Sequence, residues 1–310
     1  MVVNVLFAAR KDRWPQYEGP LHRALADAGI EAHLATDLTP ALTDYIVYAP
    51  NSPLQDFTPY TRAKAVLNLW AGVENITQNE TLHIPLARMV DPGLTQAMTE
   101  WVTGHVLRYH LAIDTDIRRV DAKWQPRTVP LARERRVVIL GLGALGCAAA
   151  QTLIGLGFDV TGWSRNPKTV QGVACLSGAD GLEEALKTAE ILVTLLPDTP
   201  ATQNILNIET LAKMPSGAFI INPGRGPLID DDALVAALDS GHIAHATLDV
   251  FRVEPLPTVH PFWAHPRITV TPHIAAETRA DTASAVIAEN IRRSEAGEAL
   301  LHLVDRENGY

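Results

Sequence analysis

RRVVILGLGALGCAAAQTLIGLGFDVTGWSRNPK, Arg135 to Lys168, is the stretch that decides how this chain folds. It opens with RRVVIL, an apolar run of a length that suits a buried strand. Glycines follow at 141, 143 and 146, then the apolar helix CAAAQTLIGLG, then a second strand, FDVTGW. The succession strand, glycine turn, helix, strand is what gives G-x-G-x-x-G a physical meaning. Gly141 permits the tight turn, Gly143 lets the backbone approach a pyrophosphate, and Gly146 allows helix and strand to pack closely. Ala144 and Leu145 fall in the first helical turn, where unpaired N–H groups favour a phosphate. Gly141, Gly143, Ala144, Leu145 and Gly146 are therefore the expected pyrophosphate site of a dinucleotide.

The end of the second strand sets the expected nucleotide. Ser164 stands eighteen residues after Gly146, near the offset of about 20 at which an acid usually holds the adenosine ribose. An acid there would face the 2′-phosphate of NADP, and two unit charges at ~4 Å and an effective dielectric of ~20 repel by about 4 kcal/mol. Ser164 removes that repulsion and offers a hydroxyl. Arg165 brings a planar charged fork suited to phosphate, and Lys168 adds a second cation. The expectation is NADPH. The alternatives are that both cations are solvated loop charges, or that NADH is used.

Working outward, the same alternation continues on both sides. Strands are expected at EILVTLL (190–196), GAFIIN (217–222), AHATLDV (244–250) and RITVTPH (267–273), with helices such as DGLEEALKTA and DDDALVAALDSG between them. On the N-terminal side VVNVLFA, EAHLAT, YIVYA, AVLNLW and IPLARM read as strands, and WPQYEGPLHRALADAG as a helix ended by Gly29. A longer helix is expected from Leu94, after the turn Asp91-Pro92-Gly93, with Met98, Trp101, Val102, His105, Val106 and Tyr109 on one stripe. The final helix, from about Thr278 to Glu295, is expected to pack back on the first domain. The fold class is α/β: two Rossmann-like or flavodoxin-like domains with doubly wound parallel sheets. The expected boundaries are 1–97 with 277–310 for a substrate domain, and 98–276 for a dinucleotide-binding domain.

Bulk properties narrow the function classes. A net charge of −9 argues against a nucleic-acid surface, which needs clustered Lys and Arg. The densest basic run, Arg133 to Arg136, is interrupted by Glu134. No segment approaches the roughly 20 apolar residues that span a bilayer. MVVNVLFAAR lacks a basic n-region, so a cytoplasmic protein is expected. Cys147 and Cys175 have neither metal-ligand spacing nor the number for a disulfide framework. His242 and His245 have ligand-like spacing but no acid or thiol to complete a set, and His105 and His110 read as packing or surface residues; no metal is expected.

Three polar residues stand at later strand ends, where a doubly wound sheet places its ligands. Arg225 lies in NPGRG, Glu254 in VFRVEP and His273 at the end of RITVTPH. Their chemistry suits reduction of a 2-oxo acid. An imidazole with an ordinary pKa near ~6.5 is a natural proton donor to a growing alkoxide. A carboxylate on its other nitrogen orients the ring and favours the imidazolium. An arginine stays charged, binds the substrate carboxylate and polarises the carbonyl.

NPGRG, DVFRVEPLP and TPHIAAET, together with LLPDTPAT and GLGALG, resemble the D-isomer-specific 2-hydroxyacid dehydrogenase family. LWAGVENI resembles its substrate loop and MTEWVTGHVL its interdomain helix. WQP, GWSR, PFWAHPRITVTPH and the closing VDRENGY are similar to the branch of that family that reduces glyoxylate and hydroxypyruvate. The resemblance implies an active site in the interdomain cleft, with Arg225, Glu254 and His273 as its catalytic set. It implies that Asp249 holds the nicotinamide carboxamide, and that Leu196, Pro197 and Asn222 line the cofactor cleft. The backbone of Ala71, Gly72 and Val73, after Trp70, would bind the substrate carboxylate as an anion nest. A homodimer is implied, with Trp101 and Trp124 as interface candidates, core packing being the alternative for both. Two positions depart from the pattern: Trp70 stands where relatives commonly have a small residue, and Pro223 precedes Gly224. Remaining alternatives are an NADH-preferring enzyme for a bulkier 2-oxo acid, and a non-catalytic nucleotide sensor like the corepressors built on this fold.

Overall fold

A computed structural model of the chain describes residues 2–117 and 122–306. The last four residues of the closing VDRENGY stretch lie outside the described residues. Two compact units emerge, Met1–Leu94 with Glu277–Tyr310, and Thr95–Ala276.

The first unit runs β1 (Val3–Ala8), α1 (Trp14–Asp27), β2 (Ala32–Ala35), β3 (Tyr45–Tyr48), β4 (Ala65–Asn68), α2 (Glu74–Thr77) and β5 (Leu86–Ala87). Its strands form one parallel sheet in the order β2-β1-β3-β4-β5. Every residue of β3 and β4 is buried, as expected for strands covered on both faces. Tyr17, Leu21 and Leu25 line the buried side of α1 at a spacing of four. Gly29 takes a φ of +70° after the helix, a left-handed conformation that a side chain would resist.

The second unit begins in α3 (Pro92–His110), whose first turn still belongs to the first unit, followed by α4 (Ile113–Ile117). The sequence reads Asp91-Pro92-Gly93 as a turn, but the helix starts there. Asp91 Oδ1 accepts from the N–H groups of Gly93 (2.8 Å) and Leu94 (3.1 Å), and Pro92 occupies a first-turn position that needs no N–H. β6 (Arg136–Leu140), α5 (Ala144–Gly155), β7 (Asp159–Ser164), β8 (Ala174–Ser177), α6 (Gly178–Thr188), β9 (Ile191–Thr194), α7 (Ile208–Ala212), β10 (Ala218–Asn222), α8 (Asp231–Asp239), β11 (Ile243–Leu248) and β12 (Ile268–Val270) follow. The sheet is parallel throughout, in the order β12-β11-β10-β9-β6-β7-β8. This is the doubly wound arrangement, and its order reverses beside β6. The edge strand β8 escapes sequence reading because ACLS is only half-buried and has no β-branched residue. Met98, Val102, Val106 and Tyr109 of α3 bury against β6, β9 and α5. The stripe on that helix is therefore core.

The chain returns through α9 (Ala280–Glu295), which lies in the first unit. Ala283, Ile287 and Ile291 join Leu21 and Leu25 of α1 in one apolar core. Lys64 and Tyr45 both donate to Glu295 Oε1, at 2.6 Å and 2.5 Å. Among the described residues no helix is long and apolar enough to cross a membrane. Leu21 is fully buried where α1 and α9 share this core. Leu21→Ala is expected to cost about 2–5 kcal/mol, read as a lowered urea midpoint for the transition that unfolds the first unit.

Candidate active site

The glycine turn after β6 has the geometry its sequence implies. Gly141 has φ +110°, and a Cβ there would lie 2.4 Å from the carbonyl oxygen of Leu195. A Cβ on Gly146 would lie 1.8 Å from the carbonyl oxygen of Gly141, so α5 closes on the turn only because both residues lack side chains. Around Gly143, by contrast, a Cβ would meet nothing within 4 Å. Gly143 caps α5, so open space lies beside the helix end whose first N–H groups, those of Ala144, Leu145 and Gly146, have no intrahelical acceptor. That space and those donors fit a pyrophosphate. Gly162 on β7 is a glycine the sequence reading missed. Its missing Cβ makes room for the Leu142 side chain, which would otherwise be 2.5 Å away.

Ser164 ends β7, buried, and its hydroxyl donates to the carbonyl of Asn166 at 2.7 Å. The hydroxyl proton thus closes the 164–166 turn, leaving Ser164 oxygen lone pairs for other partners. Arg165 is exposed on that turn. Lys168 Nζ donates to the carbonyl of Leu142 at 2.7 Å, which sets an ammonium directly on the glycine turn. Sequence spacing does not reveal that contact, because it depends on how the 165–168 loop folds back.

On the other side of the switch point, Leu196 is buried, and Pro197 accepts from Thr202 Oγ1 at 2.7 Å. Asn222, at the end of β10, is fully engaged. Its Oδ1 accepts from Thr194 Oγ1 (2.7 Å) and from the N–H of Gly224 (3.1 Å), and its Nδ2 donates to the carbonyl of Arg225 (2.9 Å). It shapes the NPGRG loop from within. Gly226 anchors the same loop, since a Cβ there would sit 2.0 Å from the carbonyl carbon of Phe251. Arg225, held between these two, donates from Nη1 to the carbonyl of Gly224 at 2.7 Å.

Glu254 and His273 meet. His273 Nδ1 lies 2.7 Å from Glu254 Oε2, and because a carboxylate only accepts, Nδ1 carries the proton. Glu254 Oε1 accepts from the N–H of Phe251 at 2.9 Å. The Glu254 bond raises the imidazole above its ordinary value of 6.5, partly opposed by burial. Burial pushes the Glu254 carboxyl up, but the bonds from His273 and Phe251 outweigh it and hold it below 4.5. The charge of Arg225 acts on both, favouring the carboxylate and disfavouring the imidazolium.

His273 adopts φ +54°, a left-handed conformation uncommon outside glycine. Asp249 supports it. Its carboxylate, fully buried, accepts from Thr271 Oγ1 (2.6 Å), the N–H of Ile274 (2.9 Å) and the N–H of Ala275 (2.9 Å), while its carbonyl takes the N–H of His273 (2.9 Å). The residue assigned by resemblance to a cofactor amide thus turns both oxygens into the loop that carries the imidazole.

In the first unit Asn68 shapes the Trp70–Val73 loop, donating from Nδ2 to the carbonyls of Trp70 (2.8 Å) and Gly72 (3.1 Å). In a trans peptide the N–H points opposite to the C=O, so the N–H groups of Ala71 and Val73 point away from Asn68. Trp70 is about two-fifths exposed, at 39%.

Three further histidines pack against aromatic rings. His105 lies against Trp101 with centroids 4.2 Å apart and the rings tilted by 53°, and burial pulls its pKa down to about 4. His110 packs edge-on against Phe158, and His245 Nδ1 lies 3.0 Å from Tyr109 Oη. Among the described residues no group of three or more His, Cys, Asp or Glu side chains is arranged to hold a metal ion. Trp101 is partly buried in the core under α3, whereas Trp124 is 96% exposed, so core packing does not account for it.

The chain is similar to known proteins along its whole length. A sequence model of the D-isomer specific 2-hydroxyacid dehydrogenase NAD binding domain matches residues 104–275. The chain is 38% identical to glyoxylate/hydroxypyruvate reductase A of Serratia proteamaculans, covering 99% of this chain and 100% of that protein. A D-isomer specific 2-hydroxyacid dehydrogenase from Xanthobacter autotrophicus Py2, solved with NADPH and MES, superposes with a TM-score of 0.92 at 41% identity, covering 99% of each chain. An NADPH-dependent glyoxylate/hydroxypyruvate reductase from Sinorhizobium meliloti, solved with NADP and sulfate, gives 0.84 at 33% identity over 100% of this chain and 99% of that one.

The Glu254–His273 pair has a defined pH signature. The stabilisation contributed by His273 is complete below 6.5 and is lost as the pH rises through its raised value; that of Glu254 is present above 4.5 and is lost as the pH falls through its depressed value. Glu254→Gln is expected to lower the His273 pKa, measured by NMR titration of the imidazole. An unchanged titration would mean that the pair does not form in solution.

Proposed function

The chain belongs to the D-isomer-specific 2-hydroxyacid dehydrogenases, and on that premise we propose that it reduces glyoxylate to glycolate and hydroxypyruvate to D-glycerate with NADPH. The observation that carries the reading is the Glu254–His273 pair, on strand ends of the sheet that bears the glycine turn, within the field of Arg225. The names of the relatives support the substrate class, and the NADPH and NADP in solved relatives support the nucleotide.

The residues present fit a bound dinucleotide. Gly141, Gly143, Ala144, Leu145 and Gly146 would hold the pyrophosphate in the space beside Gly143. Arg165 and Lys168 would face the 2′-phosphate, with Ser164 shaping their turn, while Leu196, Pro197 and Asn222 would flank the nicotinamide half. When bound, the nicotinamide supplies a hydride to the carbonyl carbon of the substrate. His273 then gives its Nε2 proton to the carbonyl oxygen, so that C=O becomes CH–OH. Nδ1 stays bonded to Glu254 throughout, which keeps the ring charged until transfer and fixes its direction. His273 is half-exposed, at 51% of its side chain, so water reprotonates it between turnovers. Arg225 holds the substrate carboxylate and polarises the carbonyl. Asp249 holds the left-handed turn of His273, and it would do so beside the contact with the nicotinamide carboxamide that the family resemblance implies. The outward N–H groups of the Trp70–Val73 loop suit a carboxylate. A second copy of the chain is the proposed occupant of the surface around Trp124.

Purified protein is expected to oxidise NADPH with glyoxylate and with hydroxypyruvate, and no oxidation with either would overturn the reading. His273→Gln should lower kcat by about a hundred- to ten-thousand-fold. Arg165→Ala should raise the KM for NADPH far more than that for NADH, whereas equal effects would make Arg165 an ordinary loop charge.

A further inference from the structure

Glu254 stands on a turn that packing does not hold. Phe251 is buried at its root, but Arg252, Val253 and Glu254 are exposed, Val253 at 61%. The direction of the Glu254 carboxylate is therefore set by polar contacts. Within the turn, Oε1 takes the N–H of Phe251 at 2.9 Å. Beyond it, the Arg252 side chain reaches back across the preceding segments. Its Nη2 donates to Asn204 Oδ1 and to the carbonyl of Ile229, and its Nε faces Asp231 Oδ1 at 3.5 Å.

These three acceptors are not scattered. Ile229 closes the loop that begins at Arg225, and Asp231 opens α8 directly after it. Asn204 is tied to the same loop, its N–H donating to the carbonyl of Pro227 at 2.9 Å. One guanidinium thus fastens the turn bearing Glu254 to the loop bearing Arg225, at the place where Gly226 lies against the Phe251 backbone. A planar fork with several donors serves three directions at once, which a lysine ammonium on a flexible stem does not.

We propose that Arg252 is a positioning residue: by tethering the 251–254 turn to the 225–231 segment, it aims Glu254 at His273 and holds Arg225 in step with both. It touches neither substrate nor nucleotide and acts through Glu254. The charges that face His273 are Glu254, Arg225 and Asp249, and those around the Arg252 tether are Asp231, Asp230 and, beyond Asp231, His260 at 3.6 Å. The significance of the inference rests on the reductase reading, but its test does not.

The test is the titration of His273 by NMR in the full-length protein, its signal assigned with His273→Gln, for the wild type, Arg252→Met, Arg252→Lys, Glu254→Gln and the double variant. Loosening Glu254 removes the bond that raises the imidazole, so Arg252→Met should lower the His273 pKa by about half a pH unit or more. Arg252→Lys should recover only part of that fall. Arg252→Met should have no further effect in the Glu254→Gln background. If the reductase reading holds, the basic limb of kcat/KM moves to lower pH in Arg252→Met, while the KM for NADPH stays within about twofold. A lowered Tm with an unchanged His273 titration would overturn the proposal and leave Arg252 a purely structural tether. A fall that persists undiminished in the Glu254→Gln background would also overturn it. Absence of NADPH oxidation by the wild type would count against the reductase reading alone.

Discussion

A fully buried carboxylate organises the end of the second unit's sheet. Asp249 is fully buried, and a buried charge is tolerated only where hydrogen bonds replace its hydration. Its replacements are two backbone N–H groups and a hydroxyl from one loop, that of residues 271–275. The loop must curl around the carboxylate to supply them, and the curl sends His273 into a left-handed conformation that costs on the order of 1–3 kcal/mol. The backbone from which the imidazole projects is thus set in the interior, and Glu254 then fixes the direction of the ring. Asn222 does for the neighbouring loop what Asp249 does here, with a neutral amide in place of a charge.

What could be read from the sequence follows from how local each cause is. The β6-α5-β7 unit was legible because its glycines act within a few residues: Gly141 and Gly146 touch one another across a single turn. The parallel sheets were legible because strands buried on both faces are apolar without alternation. Asp91-Pro92-Gly93 was misread as a turn because the same three residues serve a turn or a helix start, and the difference lies in where the Asp91 side chain points. β8 was missed because an edge strand needs little apolar content.

The candidate site divides in the same way. Arg225, Glu254 and His273 could be named from their places at strand ends, and the 2.7 Å bond between the last two fits that reading. The contacts that set these loops, Thr194 on Asn222, Gly226 against Phe251 and Thr271 on Asp249, join residues whose separation in sequence no spacing rule covers. Asn68 lies within a strand and looks like an interruption of its apolar run, yet it is the donor that turns two carbonyls of the Trp70–Val73 loop inward.

The Ser164 hydroxyl bears on how nucleotide preference is able to change in this scaffold. Because that group is committed to Asn166, position 164 is a structural joint as much as a recognition point. A carboxylate introduced there has no proton to give to Asn166, and it arrives in a buried position. Such a change would loosen the very loop on which the two cations are mounted. If these residues face the nucleotide as proposed, preference for one nucleotide over the other belongs to the whole 164–168 segment, and a lineage or an engineer altering it has to exchange the segment as a block.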